Sequence, residues 1–169
     1  RLLLPDRPRG VTTMETNELA AHPGVEVEPA RADDLGDVLA LAAGAGLPAA
    51  GIEAHFPGGF VVARSGPFVV GAAGVEAYGE AGLLRTVAVL EASRGTGLGI
   101  RLANAAIALA KRRGVRDLYL LTTTAEEWFP RLGFRRLPRE ELPEALAASE
   151  ELRGACPASA VAMHLRLDG

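Results

Sequence analysis

The sequence has few of the features that mark secreted, membrane-spanning, metal-binding or nucleic-acid-binding proteins. Cys156 is the one cysteine among 169 residues, so no intrachain disulfide can form, and this fits a reducing cytoplasm. No apolar run approaches the roughly 20 residues that a membrane span needs. Histidines 22, 55 and 164 are widely separated, so we expect no metal site. A net charge of −3 lacks the basic footprint of nucleic-acid binding, and neither nucleic acid nor a membrane is expected as a partner.

The composition that remains is that of a globular protein. Apolar residues make up 49% of the chain and charged residues 23%, a balance typical of a packed domain rather than a disordered one. A chain of this length predicts one domain with a sizeable core. We place that domain at residues 25–169, after a flexible leader or expression remnant over residues 1–24.

The order of strand-like and helical patterns predicts an α/β domain with a mixed sheet. Three consecutive strand-like runs, separated by turn signals, indicate an antiparallel meander. The predicted elements are a strand at 25–29, a helix capped by Asp33 or Asp34, a second helix over 47–56, strands at 60–65, 67–79 and 82–89, a helix over 98–113, a parallel strand at 115–122, a helix near 125–132, a strand at 134–137, a helical stretch over 139–152 and a final strand at 160–167.

The most informative segment stands between the third meander strand and the next helix, and it reads Arg94-Gly95-Thr96-Gly97-Leu98-Gly99. Glycines let a backbone approach an anion closely, and the start of a helix offers unpaired N–H groups and a positive dipole end. With the charge of Arg94, the pattern predicts a pyrophosphate cradle; the alternative is an ordinary glycine-rich turn. No G-K-[ST] follows, which argues against a P-loop, and the acidic residue of a dinucleotide fold is also missing.

This R-x-x-G-x-G loop after "LLRTVAV", with "YLLTTTAEEWFPRLGFRRL" downstream, resembles the GNAT acetyltransferases over nearly all of residues 25–167. The resemblance implies the GNAT fold, in which two central strands splay apart around the pantetheine arm. It also implies acetyl-CoA as cosubstrate and a small-molecule amine as acceptor. The segments "GVEAYG", the three threonines and "CPASAVAMHLRL" resemble more narrowly the arsenic-resistance N-acetyltransferases, relatives of enzymes that acetylate phosphinothricin and arsinothricin.

Catalytic candidates come from the two strands before the glycine loop. The resemblance implies that the backbone of the segment Val87-Ala88-Val89 holds the thioester carbonyl and the pantetheine, with an N–H as oxyanion donor. Glu76 and Tyr78 share one strand face, because side chains alternate. A tight turn at residues 79–80 would place Glu76 opposite Leu83. We expect the Glu76 carboxylate to accept the ammonium proton; the alternative is that it pairs with Arg85 and fixes the pocket.

Substrate-binding candidates are Arg85 and the threonine run Thr122, Thr123 and Thr124. Arg85 is a charge within an apolar strand, and its guanidinium suits a carboxylate, phosphinate or arsonate; structural pairing is the alternative. The threonines end the parallel strand beside the expected gap, where a hydroxyl would bind substrate or coenzyme unless Thr124 only caps a helix. Phe129 stands where many GNAT enzymes place a tyrosine that protonates the thiolate.

Other functions remain open from the sequence. The acceptor amine could be a polyamine, an aminoglycoside or a protein N-terminus, although Arg85 favours an anionic substrate. The absent tyrosine is also compatible with a non-catalytic sensor that binds acyl-CoA. Terminal strands in such folds often help to form dimers, so a homodimer is expected by analogy.

Overall fold

The computed structural model describes residues 24–168, so the predicted leader lies almost wholly outside the described residues. This part of the chain forms seven strands and two α-helices, with short helical turns between them. The strands are β1 (Glu26–Pro29), β2 (Phe60–Ser65), β3 (Phe68–Tyr78), β4 (Ala81–Val89), β5 (Asp117–Thr122), β6 (Arg135–Leu137) and β7 (Val161–Arg166), and the helices are α1 (Leu35–Gly44) and α2 (Leu98–Arg112).

The strands form one mixed sheet in the order β1-β2-β3-β4-β5-β7-β6. Strands β1 to β4 are antiparallel, as the predicted meander requires. Helix α2 then crosses over to β5, which runs parallel to β4, and β7 pairs antiparallel with both β5 and β6. The prediction of an α/β domain with a mixed sheet is therefore confirmed.

Two hydrophobic clusters hold the helices against the sheet. Leu98, Leu102, Ala106 and Ala110 recur every four residues along α2 and are all buried in the larger cluster. Small alanines let the helix lie close to the strands, while full burial of a leucine stabilises the fold by about 1.5–3 kcal/mol. Helix α1 packs in the second cluster, which also contains the fully buried Phe60. The sheet is thus covered on both sides of its central strands.

The pairing between β4 and β5 is short. It consists of three residue pairs, Ala81 with Asp117, Gly82 with Leu118 and Leu83 with Tyr119. Both strands continue beyond these pairs, yet no further pairing joins them within the described residues. The two central strands therefore splay apart after Leu83, as the GNAT resemblance implied.

Three of the predicted helices do not form. Proline lacks an N–H and clashes with the preceding turn, and prolines or positive-φ glycines interrupt each of these segments, so only single turns remain. In place of the helices predicted near 47–56, 125–132 and 139–152, the structure has short turns at Glu53–His55, Phe129–Leu132, Arg139–Glu141, Glu144–Ala148 and Glu151–Ala155.

Candidate active site

A cavity of about 950 Å³ occupies the gap between β4 and β5. Residues 84–89 of β4 form one wall, and residues 120–125, from the end of β5 and the loop after it, form the other. The loop after α1, residues 44–48, also contributes. The glycine loop borders the cavity through Arg94, Gly95, Gly97 and Gly99. A cavity of this volume is in the range that small-molecule and cofactor sites occupy.

The glycine loop leads directly into the N-terminus of α2. Gly97 is the N-cap residue and has a φ of +84°, a left-handed conformation that favours glycine. The Nε of Arg94 donates a hydrogen bond to the Val89 carbonyl at 3.0 Å, while the Thr96 hydroxyl donates to the Ser93 carbonyl at 2.7 Å. Leu98 is buried and belongs to the core instead of the cavity wall. The loop therefore places backbone and one guanidinium beside the cavity; its predicted pyrophosphate contacts remain a prediction.

The β4 wall has an irregular backbone at its centre. Ala72 pairs with Ala88 and Gly74 pairs with Arg85, so two β4 residues, Thr86 and Val87, stand opposite one β3 residue. Thr86 has a φ of +58°, which is uncommon for a residue other than glycine. Such a bulge bends the strand and removes local pairing. It lies in the segment where the resemblance implies that Val87, Ala88 and Val89 contact the acyl-pantetheine.

Arg85 is enclosed by protein groups. Its Nη1 donates to Glu76 at 2.6 Å, its Nη2 to the Pro48 carbonyl at 2.9 Å, and its Nε to the Thr86 hydroxyl at 3.1 Å. Glu76 does pair with Leu83 across the hairpin, as the turn predicted. These contacts correspond to the structural pairing that we held as the alternative to substrate binding by Arg85.

Glu76 and Tyr78 lie together behind the β4 wall and do not line the cavity. Tyr78 donates a hydrogen bond to Glu76 at 2.6 Å, and the Nε2 of His55 lies 3.7 Å from the same carboxylate oxygen. Burial, with the adjoining Glu76 carboxylate, raises the pKa of the Tyr78 phenol well above its usual range. Tyr78 therefore holds its proton, and the catalytic roles of both residues remain predictions.

Glu151 lines the cavity and was missed by the sequence analysis. It is 4% exposed, and its Oε2 lies 3.5 Å from the Nε of Arg85. Burial raises the pKa of Glu151 to about 7; Arg85 lowers it, and the Glu76 carboxylate raises it further. Its segment reads as one acidic stretch of a surface helix, so no local signal marks this glutamate.

The opposite wall contains the threonine run and an aromatic pair. All three threonines line the cavity, and Thr122 accepts a hydrogen bond from the Ala125 N–H at 2.9 Å. The alternative that Thr124 caps a helix is wrong, because no α-helix follows it in the described part of the chain. Phe129 also lines the cavity, with its ring edge-on to Trp128, so the wall carries no phenol at that position.

Neither a metal site nor a membrane span is found among residues 24–168. No group of three or more His, Cys, Asp or Glu side chains is placed to hold a metal ion there. Within the same range, no helix has the length and apolar character to cross a membrane.

Comparison with known proteins finds a match to one family model over part of the chain. Residues 57–136 match a family model described as an acetyltransferase (GNAT) domain. The fold is similar to N-acetylglutamate synthase from Neisseria gonorrhoeae, solved with coenzyme A and N-acetyl-glutamate, with a TM-score of 0.73 and 23% identity over 86% of this chain. This chain spans 35% of the length of that synthase chain.

Two shorter proteins match over nearly their whole length. A Mycobacterium tuberculosis protein in complex with coenzyme A gives a TM-score of 0.68 at 21% identity, over 85% of this chain and 99% of that one. A GNAT-family acetyltransferase from Staphylococcus aureus gives 0.67 at 15% identity, over 85% and 99%. The family-model match runs from β2 into β6 and so contains the glycine loop and both walls of the gap. Residues 57–136 therefore match a GNAT acetyltransferase domain model, and the described part of the chain has the fold of these proteins.

Proposed function

We propose that this acetyltransferase moves the acetyl group of acetyl-CoA to the amine of a small, acidic amino-acid analogue. The observation that carries the proposal is the cavity between the splayed strands β4 and β5, which the glycine loop borders. An elongated cofactor with an anionic group part-way along it fits a gap of this kind.

The residues present fit coenzyme A. Positive-φ glycines at 95 and 97 leave the loop backbone uncovered by side chains, and α2 begins there with free N–H groups. Arg94 adds a cation next to the same loop. Beyond Leu83, the β4 backbone has no described partner on its β5 side, so its polar groups are open to the amides of a pantetheine arm.

The chemistry needs a neutral amine next to the thioester carbonyl. Holding both reactants in one cavity supplies much of the rate, on the order of several kcal/mol. A backbone N–H of the segment Val87-Ala88-Val89 is the proposed donor to the oxyanion. The bulge at Thr86 disturbs the β3–β4 ladder beside that segment, and the segment has no described pairing partner on its β5 side.

The acidic acceptor is proposed on two grounds. The sequence resembles the arsenic-resistance N-acetyltransferases, which points to phosphinothricin or arsinothricin. The Neisseria gonorrhoeae synthase, similar in fold, was solved with an acetylated acidic amino acid. Since Arg85 is engaged by protein groups, Arg131 at the cavity edge is the better placed cation for an acceptor carboxylate. We further propose that the protein is cytoplasmic and forms a homodimer. Light scattering of the purified protein would test the homodimer.

A thiol-release assay tests the function. Purified protein with acetyl-CoA should release free thiol with phosphinothricin or glutamate, and less with spermidine. Mass spectrometry should find the acetylated amine. If the protein binds the coenzyme but releases no thiol from acetyl-CoA with any of these amines, the acidic-acceptor proposal is contradicted and the sensor alternative is favoured. Faster release with spermidine would favour a cationic acceptor.

A further inference from the structure

We infer that Glu151 is the general base of this acetyltransferase and takes a proton from the acceptor ammonium group. The inference rests on the proposed function and assigns one of its steps to a residue outside the strands that the sequence analysis considered.

The first support for Glu151 as the base comes from the ionisable side chains that line the cavity. Among the described residues that line the cavity, Glu151 is the one carboxylate, and none is a histidine or a tyrosine. Glu76 and Tyr78 lie behind the wall and hydrogen-bond to each other. A general base must come within hydrogen-bonding reach of the proton that it removes. Of these carboxylates, Glu151 is the one that an acceptor in the cavity meets.

The second support is the charge balance around Arg85. This single guanidinium faces two buried carboxylates, with Glu76 at 2.6 Å and Glu151 at 3.5 Å. The shorter ion pair satisfies Arg85, which leaves Glu151 with a weaker partner. A proton bound by Glu151 makes the cluster neutral, whereas losing that proton leaves a net negative charge in a buried place. Of the two carboxylates, Glu151 is therefore the one whose charge Arg85 offsets less, and it can take up a proton while the Arg85–Glu76 ion pair stays intact.

The titration of Glu151 agrees with this geometry. Burial raises its pKa to about 7, and a base is most effective when its pKa lies near the working pH. The groups that face it are Arg85 from β4, Glu76 from β3 and Cys156 from its own segment. Burial raises the pKa of Cys156 to about 12, so the thiol keeps its proton and hydrogen-bonds to Glu151 without competing as a base.

Acetyl transfer with Glu151 as the base begins at the acceptor ammonium group. One ammonium proton moves to the Glu151 carboxylate, and the neutral nitrogen attacks the thioester carbonyl carbon. A C–N bond forms and the C–S bond breaks, with its electron pair leaving on sulfur. The second proton lost by nitrogen ends on the thiolate, which gives free coenzyme A. Glu151 then releases its proton to water, and the net products are the amide, the thiol and one proton.

The test compares Glu151→Gln with Glu150→Gln, the neighbouring glutamate, which is half exposed and does not line the cavity. We expect Glu151→Gln to lower kcat/KM by roughly 10²–10⁴-fold with whichever of glutamate and phosphinothricin the wild type turns over. Its affinity for acetyl-CoA, measured by calorimetry, should be unchanged. Glu150→Gln should retain wild-type kinetics.

Hydroxylamine, which is largely neutral at the assay pH, provides a second arm. It needs no proton removed before attack, so the deficit of Glu151→Gln should shrink with it. A residue with a purely structural role would lower both rates alike. Equal kcat/KM for wild type and Glu151→Gln, or an equal deficit with both nucleophiles, would overturn the inference while leaving the transferase function intact. No wild-type turnover of any amine would instead overturn the proposed function, and the inference with it.

An NMR titration of the Glu151 carboxyl group tests the assignment without an activity assay. In protein labelled with carboxyl-¹³C glutamate, the wild type should show one resonance titrating near neutrality that Glu151→Gln lacks. A Glu151 resonance that titrates in the ordinary carboxyl range would contradict the assignment.

Discussion

The Nη1 atom of Arg85 lies 2.6 Å from the Oε2 atom of Glu76, and both side chains are removed from solvent. The two residues come from adjacent strands, and the hairpin register that pairs Glu76 with Leu83 brings them together. The ion pair fastens β3 to β4 directly behind the cavity wall. It therefore supports the strand that carries the proposed acyl-binding backbone.

Breaking this pair should destabilise the protein strongly. Because Glu76→Gln leaves the Arg85 charge buried without its main partner, we expect the free energy of unfolding to fall by about 3–5 kcal/mol. Urea unfolding followed by circular dichroism measures the change. Glu150→Gln is the matched control, since its ion pair with Arg153 is exposed and worth about 0–1 kcal/mol. A loss below that of the control would show that the pair is not structural.

Stability should depend on pH through Glu151. Its pKa rises from an ordinary 4.5 to about 7 on folding, so the folded protein binds the proton more tightly than the unfolded chain. The corresponding stability is fully present below about pH 4.5 and is lost as pH rises to about 7, amounting to about 3 kcal/mol.

Glu151→Gln removes this dependence. Relative to the wild type, its free energy of unfolding should therefore increase across that interval and stay higher above it. Unfolding curves at closely spaced pH values measure the difference, with Glu150→Gln run in parallel. A constant difference between wild type and Glu151→Gln across the interval would show that the carboxyl titrates normally.

The glycine loop should resist a side chain at residue 97. Alanine at a φ of +84° is strained, so Gly97→Ala should lower the free energy of unfolding by about 1–2 kcal/mol. It should also weaken coenzyme A binding, because the loop backbone moves to relieve the strain. Gly36→Ala is the control: Gly36 lies in α1 with open space around it, and alanine should stabilise that helix by about 0.5–1 kcal/mol.

Arg94 should act on the pyrophosphate part of the cosubstrate. Losing one charge-assisted contact of about 1.5–3 kcal/mol should raise the KM for acetyl-CoA by roughly tenfold or more in Arg94→Ala. Acetyl-pantetheine lacks the pyrophosphate, so its kcat/KM should be the same in Arg94→Ala and the wild type. Equal losses with both donors would place Arg94 in the support of Val89 instead, through its hydrogen bond to that carbonyl.

Elements with strong local signals were predictable from the sequence. The meander consists of three apolar strand-like runs separated by clear turn signals, and the apolar face of α2 recurs every four residues. Glu76 opposite Leu83 followed from one tight turn, because strand register is fixed once the turn is known. The glycine loop was found because its residue types are chemically unusual.

The site residues from distant segments were not predictable. Glu151 reaches Arg85 only because the chain after β6 folds back against β4, where Leu146 packs with Leu83, and no local pattern encodes that path. The helices predicted near 125–132 and 139–152 do not form, because Pro130 and Pro143 interrupt these segments and leave only short helical turns. The amino-acid composition of the 139–152 segment does not indicate which of its side chains face the cavity.

The three residue pairs between β4 and β5 hold the two strands together at the end of the gap from which they diverge. Gly82 lies among these pairs, and an added Cβ there would come within 3.0 Å of Val115 and 3.3 Å of Leu118. A larger residue at position 82 would press on the buried side chains of Val115 and Leu118 beside the paired ends of the two strands. The pairing from which the two walls diverge thus depends on close packing at a residue that does not line the site.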